Sequence, residues 1–238
     1  MNWVVANLPL IAEYLGAHLA QCLPAIAAAL ALSIPIARLA QGSRVLRAVL
    51  VSGSSLLYAI PSLALFVILP IILGTGIRDV LNVVVALTLY GLALLVPATA
   101  DALDAIEPRA LDAATAMGMG RMRRFLTVEL PLAGPTILNG LRVVAVSTVS
   151  LTTVGAVLGV RSLGRLFTDG FQRGLTAEIL TGLVLTLVLA LALDGLIILG
   201  GRLALPWTRR RSTSQSPADE PQREAPADGL AQAGSGAA

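Results

Sequence analysis

Five long apolar runs, separated by short polar stretches, limit what this chain can fold into. They extend from about Leu19 to Ala40, Ser52 to Leu73, Val80 to Ala100, Leu132 to Leu158 and Ala177 to Leu205. Crossing about 30 Å of bilayer hydrocarbon takes roughly 20 apolar residues at 1.5 Å each, and every run is long enough. Inside lipid the backbone has to satisfy its own hydrogen bonds, which leaves helices for segments of this length. Composition agrees: 56% of the 238 residues are hydrophobic and 13% charged, about half the charge that coats a soluble domain. The expected fold is an all-α membrane protein with five transmembrane helices, multi-pass in the cell (inner) membrane and solvated by the lipid bilayer.

The ends and connections read differently. Val4, Leu8, Ile11 and Leu15 recur on one helical face, so residues 1–18 are expected to form an amphipathic segment on the bilayer surface. This segment lacks the positive n-region and small-residue cleavage site of a standard signal peptide. Residues 19–207 form the membrane domain. Arg161 to Leu175 is too short and too charged to span, and fits a surface or partly re-entrant helix. Beyond Trp207 the chain turns rich in Ser, Pro, Gln, Glu, Ala and Gly, so residues 208–238 read as a disordered cytoplasmic tail.

All of the basic charge is arginine, since the sequence holds no lysine. Arginines concentrate in cytoplasmic loops. One set of loops carries Arg38, Arg44, Arg47, Arg109, Arg121, Arg123, Arg124, Arg202 and Arg209 to Arg211; the opposite set carries Arg78, Arg161, Arg165 and Arg173. With five spans, that asymmetry puts the N-terminus outside, the C-terminus inside and the Asp101 to Pro131 loop in the cytoplasm. The arginines form no stripe, and aromatics are only 4%, which argues against nucleic acid as a partner. Cys22 and His18 are the only residues of their kinds. No disulfide, metal spacing or His-centred triad can be assembled from them, and both read as packing residues. No phosphate-binding Gly-Lys-Ser/Thr loop is present, so the chain is not expected to be an enzyme or to need a cofactor.

The long loop between the third and fourth runs carries the most specific signal. Pro108 suits a first helical turn, Ala110 to Met117 are largely good helix formers, and Gly118 supplies a stop that tolerates a left-handed backbone. A small-faced helix of about three turns can lie closely in a groove of another protein. Asp112-Ala113-Ala114, three residues, Gly118, nine residues and then Val128-Glu129-Leu130-Pro131 resembles the cytoplasmic EAA loop of ABC importer permeases, with Asp for Glu and Val for Ile. Ile60-Pro61-Ser62-Leu63-Ala64-Leu65, Met117-Gly118-Met119, Glu129-Leu130-Pro131-Leu132-Ala133 and Asn139-Gly140-Leu141-Arg142 are similar to the glycine betaine/choline/carnitine (osmoprotectant) permeases of that group. Leu158 to Gly164 keeps only part of that group's Gly-Ala-Gly-Gly-Leu-Gly run. The resemblance covers about Ala20 to Leu205. It implies a coupling helix over Asp112 to Gly118, with Asp112, Ala113, Ala114, Gly118, Glu129, Leu130 and Pro131 as the element docked to the ATPase. It also implies ATP-binding subunits, a second permease copy or sister permease, and an extracytoplasmic substrate-binding protein as partners.

Within the membrane, Pro61 beside Tyr58 and Ser62 marks a bend. Tyr58, Pro61, Ser62, Tyr90 and Asp194 are the candidates for a translocation path. An ionised Asp194 inside a span is expensive, and structural pairing near the cytoplasmic third of a tilted helix is the favoured reading of it. Arg142 is expected to snorkel to the cytoplasmic face. A permease for another small solute shares the loop motif; the Ile60 to Leu65 stretch discriminates between them. An ATPase-independent transporter or channel predicts inverted repeats or several paired intramembrane charges, and neither is apparent in the sequence.

Overall fold

The computed structural model describes residues 2–207. All regular structure among them is helical. A short helix α1 (Asn2–Ala6) precedes α2 (Leu8–Ala40), α3 (Arg44–Ala59), α4 (Ser62–Leu73) and α5 (Val80–Asp104). The loop helices α6 (Pro108–Ala116) and α7 (Arg121–Arg124) run through a π-helical turn, Phe125–Glu129, into α8 (Leu130–Thr152). A 3-10 turn over Thr153–Leu158, then α9 (Gly164–Arg173) and α10 (Thr176–Ala204), follow. The expected 208–238 tail lies outside the described residues. Four helical stretches here are long and apolar enough to cross a membrane, five if the broken pair α3/α4 counts as one span.

Two expectations change. Residues 8–18 do not form a separate surface helix: they are continuous with α2, which at 1.5 Å per residue is roughly 50 Å long. Its Ile11, Tyr14, His18, Gln21 and Cys22 are buried at helical spacing, against a cluster that includes Leu163, Leu166, Leu189 and Leu193. The predicted stripe is only partly the buried face: Ile11 is buried and Leu15 half-buried against that cluster, but Leu8 is exposed. The second run is not one continuous helix either. α3 and α4 meet at an angle of 106°, and neither alone, at about 24 and 18 Å, crosses the hydrocarbon. Proline forces its predecessor out of the helical region, and Ile60 (ψ 129°) and Pro61 (ψ 128°) are both extended.

α5 is the central helix, packing against α2, α3, α4 and α8. Asp79 caps its start by accepting from the Leu81 N–H at 2.9 Å. Where α5 crosses α2 and α8 the residue is Gly91. A Cβ there would sit 2.6 Å from the Ala29 Cβ and 3.3 Å from the Val144 Cγ1. Small residues let membrane helices approach this closely, and dispersion contacts then hold them. The bundle has two ends. One gathers the C-termini of α2, α5 and α10 with the N-termini of α3 and α8, and carries α6 and α7. The other holds α9 and the Leu158 to Gly164 segment. The Arg161 to Leu175 stretch is accordingly a short helix, α9, with Leu166 fully buried, packed on α10 and the 3-10 turn.

Gly91→Val is expected to force α2 and α8 away from α5 at a cost of about 1–3 kcal/mol. Thermal melting in detergent should show a clear drop for this variant. Gly195→Val, at a site with nothing within 4 Å, should melt close to wild type.

Candidate functional site

The loop helix α6 starts at the N-cap Glu107 with Pro108 in its first turn. Gly118 stops it at φ 76°, a left-handed backbone that favours glycine. Its N–H donates to the Thr115 carbonyl at 2.9 Å, and the Met119 N–H donates to that of Ala114 at 3.2 Å. The sequence-predicted residues here divide into two groups. Asp112, Ala113 and Gly118 are exposed, whereas Ala114 is buried against the chain. So α6 presents one small-faced side outward and seats the other.

Glu129, the last residue of the π-helical turn, points inward, its side chain only 3% exposed. Leu130 and Pro131 open α8 directly after it. Pro131 has no N–H to give the Thr127 carbonyl four residues back. The wider turn accommodates this, with the Leu130 N–H donating to the Phe125 carbonyl instead. Each carboxylate oxygen of Glu129 takes one guanidinium. Arg38 Nη1, from the last turn of α2, donates at 3.1 Å and Arg124 Nε at 2.9 Å. Arg124 Nη1 also donates to Thr115 Oγ1 on α6 at 3.0 Å. The Arg38 guanidinium sits 4.9 Å from the Phe125 ring centroid, a favourable cation–π position, and its Nη1 also reaches Gln41 Oε1 at 2.7 Å. Nearby, Arg47 on α3 bridges Asp104 and Asp101 of α5, both at 2.7 Å.

At the break between α3 and α4 the structure brings Tyr58, Pro61, Ser62 and Tyr90 together. The Tyr90 hydroxyl donates to the Ile60 carbonyl at 2.6 Å. This partners an acceptor that the broken helix leaves without an intrahelical N–H. Tyr58 packs edge-on to Tyr90 with centroids 6.0 Å apart. Tyr90 is buried and Tyr58 half exposed.

Asp194 does not join this group. It takes a two-pronged contact from Arg142, Nε to Oδ1 at 2.7 Å and Nη2 to Oδ2 at 2.9 Å. Arg142 therefore ties α8 to α10 instead of reaching for an aqueous face. The pair opens onto a groove lined also by Asn139, Ser147, Val143 and Leu191.

Sequence reasoning missed the polar cluster at the opposite end. Gln21 Nε2 donates to the Ala17 and Arg161 carbonyls, both at 2.7 Å. His18 Nδ1 accepts from the Leu163 N–H at 3.3 Å, and Cys22 Sγ lies 3.1 Å from Thr152 Oγ1. The Gln21 and His18 contacts pin the Leu158 to Gly164 segment to α2, and Cys22 meets the end of α8. The available signal was the placement of three polarisable residues at 18, 21 and 22, one helical face inside an apolar run.

Long apolar helices, a proline-broken pair in the bundle and a polar helical loop held at one end are the build of a multi-span helical membrane protein. Residues 22–205 match the family described as binding-protein-dependent transport system inner membrane component, and the chain belongs to that family: it is the multi-pass permease subunit of an ABC importer in the inner membrane. It is 30% identical over 200 residues to the osmoprotectant import permease protein OsmW of Salmonella typhimurium, across 83% of this chain and 93% of that one. It is 28% identical over 213 residues to the choline transport system permease protein OpuBD of Bacillus subtilis, across 89% and 93%. A solved structure of the MetNI methionine ABC transporter in an inward-facing form superimposes with a TM-score of 0.70 at 21% identity, covering 84% of this chain and 96% of that one. At that identity the likeness concerns the fold alone.

Removing one member of a membrane-embedded ion pair leaves a lone charge, whereas replacing both with apolar groups is close to neutral. Asp194→Leu alone is therefore expected to lower the yield of folded protein and its melting temperature. Arg142→Met combined with Asp194→Leu should restore both, as read by size-exclusion profile and thermal melting.

Proposed function

We propose that this permease carries quaternary ammonium osmoprotectants of the glycine betaine, choline and carnitine class into the cell. The observation that carries the cargo is the near full-length similarity to permeases named for osmoprotectant and choline transport. The end of the bundle bearing α6 is the cytoplasmic one. Among the described residues it holds Arg38, Arg44, Arg47, Arg109, Arg121, Arg123, Arg124 and Arg202, against Arg78, Arg161, Arg165 and Arg173 at the other. The N-terminus then lies outside and the C-terminus inside.

In this reading α6 is the coupling helix. ATP-binding subunits dock on its exposed side, through Asp112, Ala113 and Gly118, while Ala114, Glu129, Leu130 and Pro131 seat the loop from within. No residue of α3 is buried, and its bare side, with Val45, Val49 and Leu56 exposed, suits a second permease copy or sister permease. The translocation path runs past the α3/α4 break, along Tyr58, Pro61 and Ser62. Tyr90 holds that break in shape, and Asp194 serves as the partner of Arg142. Two tyrosines are a thin cage for a trimethylammonium group, so strong selection falls to a substrate-binding protein on the outer side. ATP-driven closure of the docked subunits moves rigid helices between two packed arrangements.

Co-purification with the ATP-binding subunits tests the docking. Ala113→Arg and Gly118→Asp are expected to insert normally and lose the ATPase; retention by both variants would remove α6 from the interface. Uptake of labelled glycine betaine and choline into proteoliposomes, with methionine as the comparison solute, tests the cargo. ATP-dependent uptake of methionine alone would overturn the osmoprotectant reading.

A further inference from the structure

The polar contacts around Glu129 do more than seat a loop. They form a continuous chain of side chains from α6 to the first turn of α3. The chain starts at Thr115 on α6, which accepts from Arg124 at 3.0 Å. Arg124 holds one oxygen of Glu129 at 2.9 Å, and Arg38 holds the other at 3.1 Å. Arg38 also donates to Gln41 at 2.7 Å, and Gln41 to Asp104 at 3.5 Å, the longest link. Asp104 takes Arg47 of α3 at 2.7 Å. Every step but Arg38–Gln41, which lies within the end of α2, joins two elements, and the centre of the chain is a carboxylate sealed from solvent.

We infer that Glu129 is a positioning residue: through Arg124 and Arg38 it ties displacement of α6 to α2 and, through Gln41 and Asp104, to the start of α3. This rests on the reading that ATP-binding subunits act on α6. The far end of α3 is the Ile60–Pro61 break, where α3 and α4 meet at 106°. Covalent continuity carries motion of the loop into α5, which ends at Asp104, and into α8. The polar chain adds a directional side-chain link from the loop to Arg47 of α3, beside the packing of Val51 against the apolar cluster that includes Phe125 and Leu103. Paired, charge-assisted hydrogen bonds resist stretching and are directional, so they can transmit a shift between rigid helices that a lipid-filled gap would absorb.

Cys22 is the only cysteine in the sequence and is buried, so in a Cys22→Ser background spin labels can be placed at exposed Glu107, the N-cap of α6, and exposed Arg44 at the start of α3. The experiment uses the whole transporter, permease with its ATP-binding subunits in lipid, without nucleotide and then trapped with ATP and vanadate. In the parent protein the label-to-label distance is expected to stay constant through the cycle, because α6 and α3 move as one. In Glu129→Gln and in Arg38→Gln the distance should shift on trapping, with the ATP-binding subunits still bound, and Glu129→Asp should restore the parent behaviour. A constant distance in both Gln variants overturns the relay, as does a shifting distance in the parent. Loss of the ATP-binding subunits from the Gln variants alone would make Glu129 a docking residue and also overturn it. Their absence from the parent preparation would overturn the docking reading, and the relay with it.

Discussion

Inside a bilayer no water waits to satisfy a backbone group that a helix leaves free, and the rest of this structure follows from that constraint. Wherever the chain departs from regular helix, a partner has been supplied. The break at Ile60–Pro61 exposes a carbonyl, and Tyr90 reaches across from α5 to donate to it. Pro131 cannot serve the turn before it, and a π-helical turn redistributes the bonds. The Leu158 to Gly164 segment, non-helical in part, is held by Gln21 and His18 from α2. Irregular backbone is thus confined to sites where another helix meets its demands.

Charge obeys the same rule. Arg142 and Asp194 lie far from the ends of α8 and α10, and each would be costly alone. Paired in a fork they form a neutral unit that fixes the rotation of the two helices against each other. Around Glu129 the balance is different. One buried carboxylate faces two partly exposed guanidiniums, leaving the cluster net positive at the arginine-rich end. Such a cluster is well placed to organise a loop at an aqueous boundary, where the arginine stems lie on apolar surface while their heads reach water. Arg38 adds a cation–π contact there, its guanidinium lying over the Phe125 ring.

For a transport subunit these two kinds of polar contact have separable roles. The Arg142–Asp194 fork locks α8 to α10 and belongs to the static frame. In the proposed mechanism the Glu129 cluster and the α3/α4 break are the moving parts, one receiving motion and the other already bent to accept it. α3 is the least enclosed of the larger helices, with no buried residue. A helix packed on one flank only can shift while opposing fewer contacts than the central α5, which is gripped on several sides and closely at Gly91.

The pattern of apolar runs was enough to find the long helices, because length and hydropathy alone decide whether a segment can sit in lipid. The loop helix was legible as well: Pro108 and Gly118 punctuate it by backbone rules that act within a few residues, and the structure gives a helix ending at Ala116 with Gly118 left-handed. Pro61 announced a bend for the same local reason. What stayed hidden depends on which residues meet across the bundle. A stripe at Ile11 looks the same whether it faces lipid or another helix, so the N-terminal residues were read as a surface segment when they extend α2. The angle at Pro61, the inward turn of Ala114 and Glu129, and the pairing of Asp194 with Arg142 across 52 positions of sequence were decided only by tertiary packing. Periodicity fixes which side chains share a helical face, but the neighbour that covers each face is set by how all the helices pack at once.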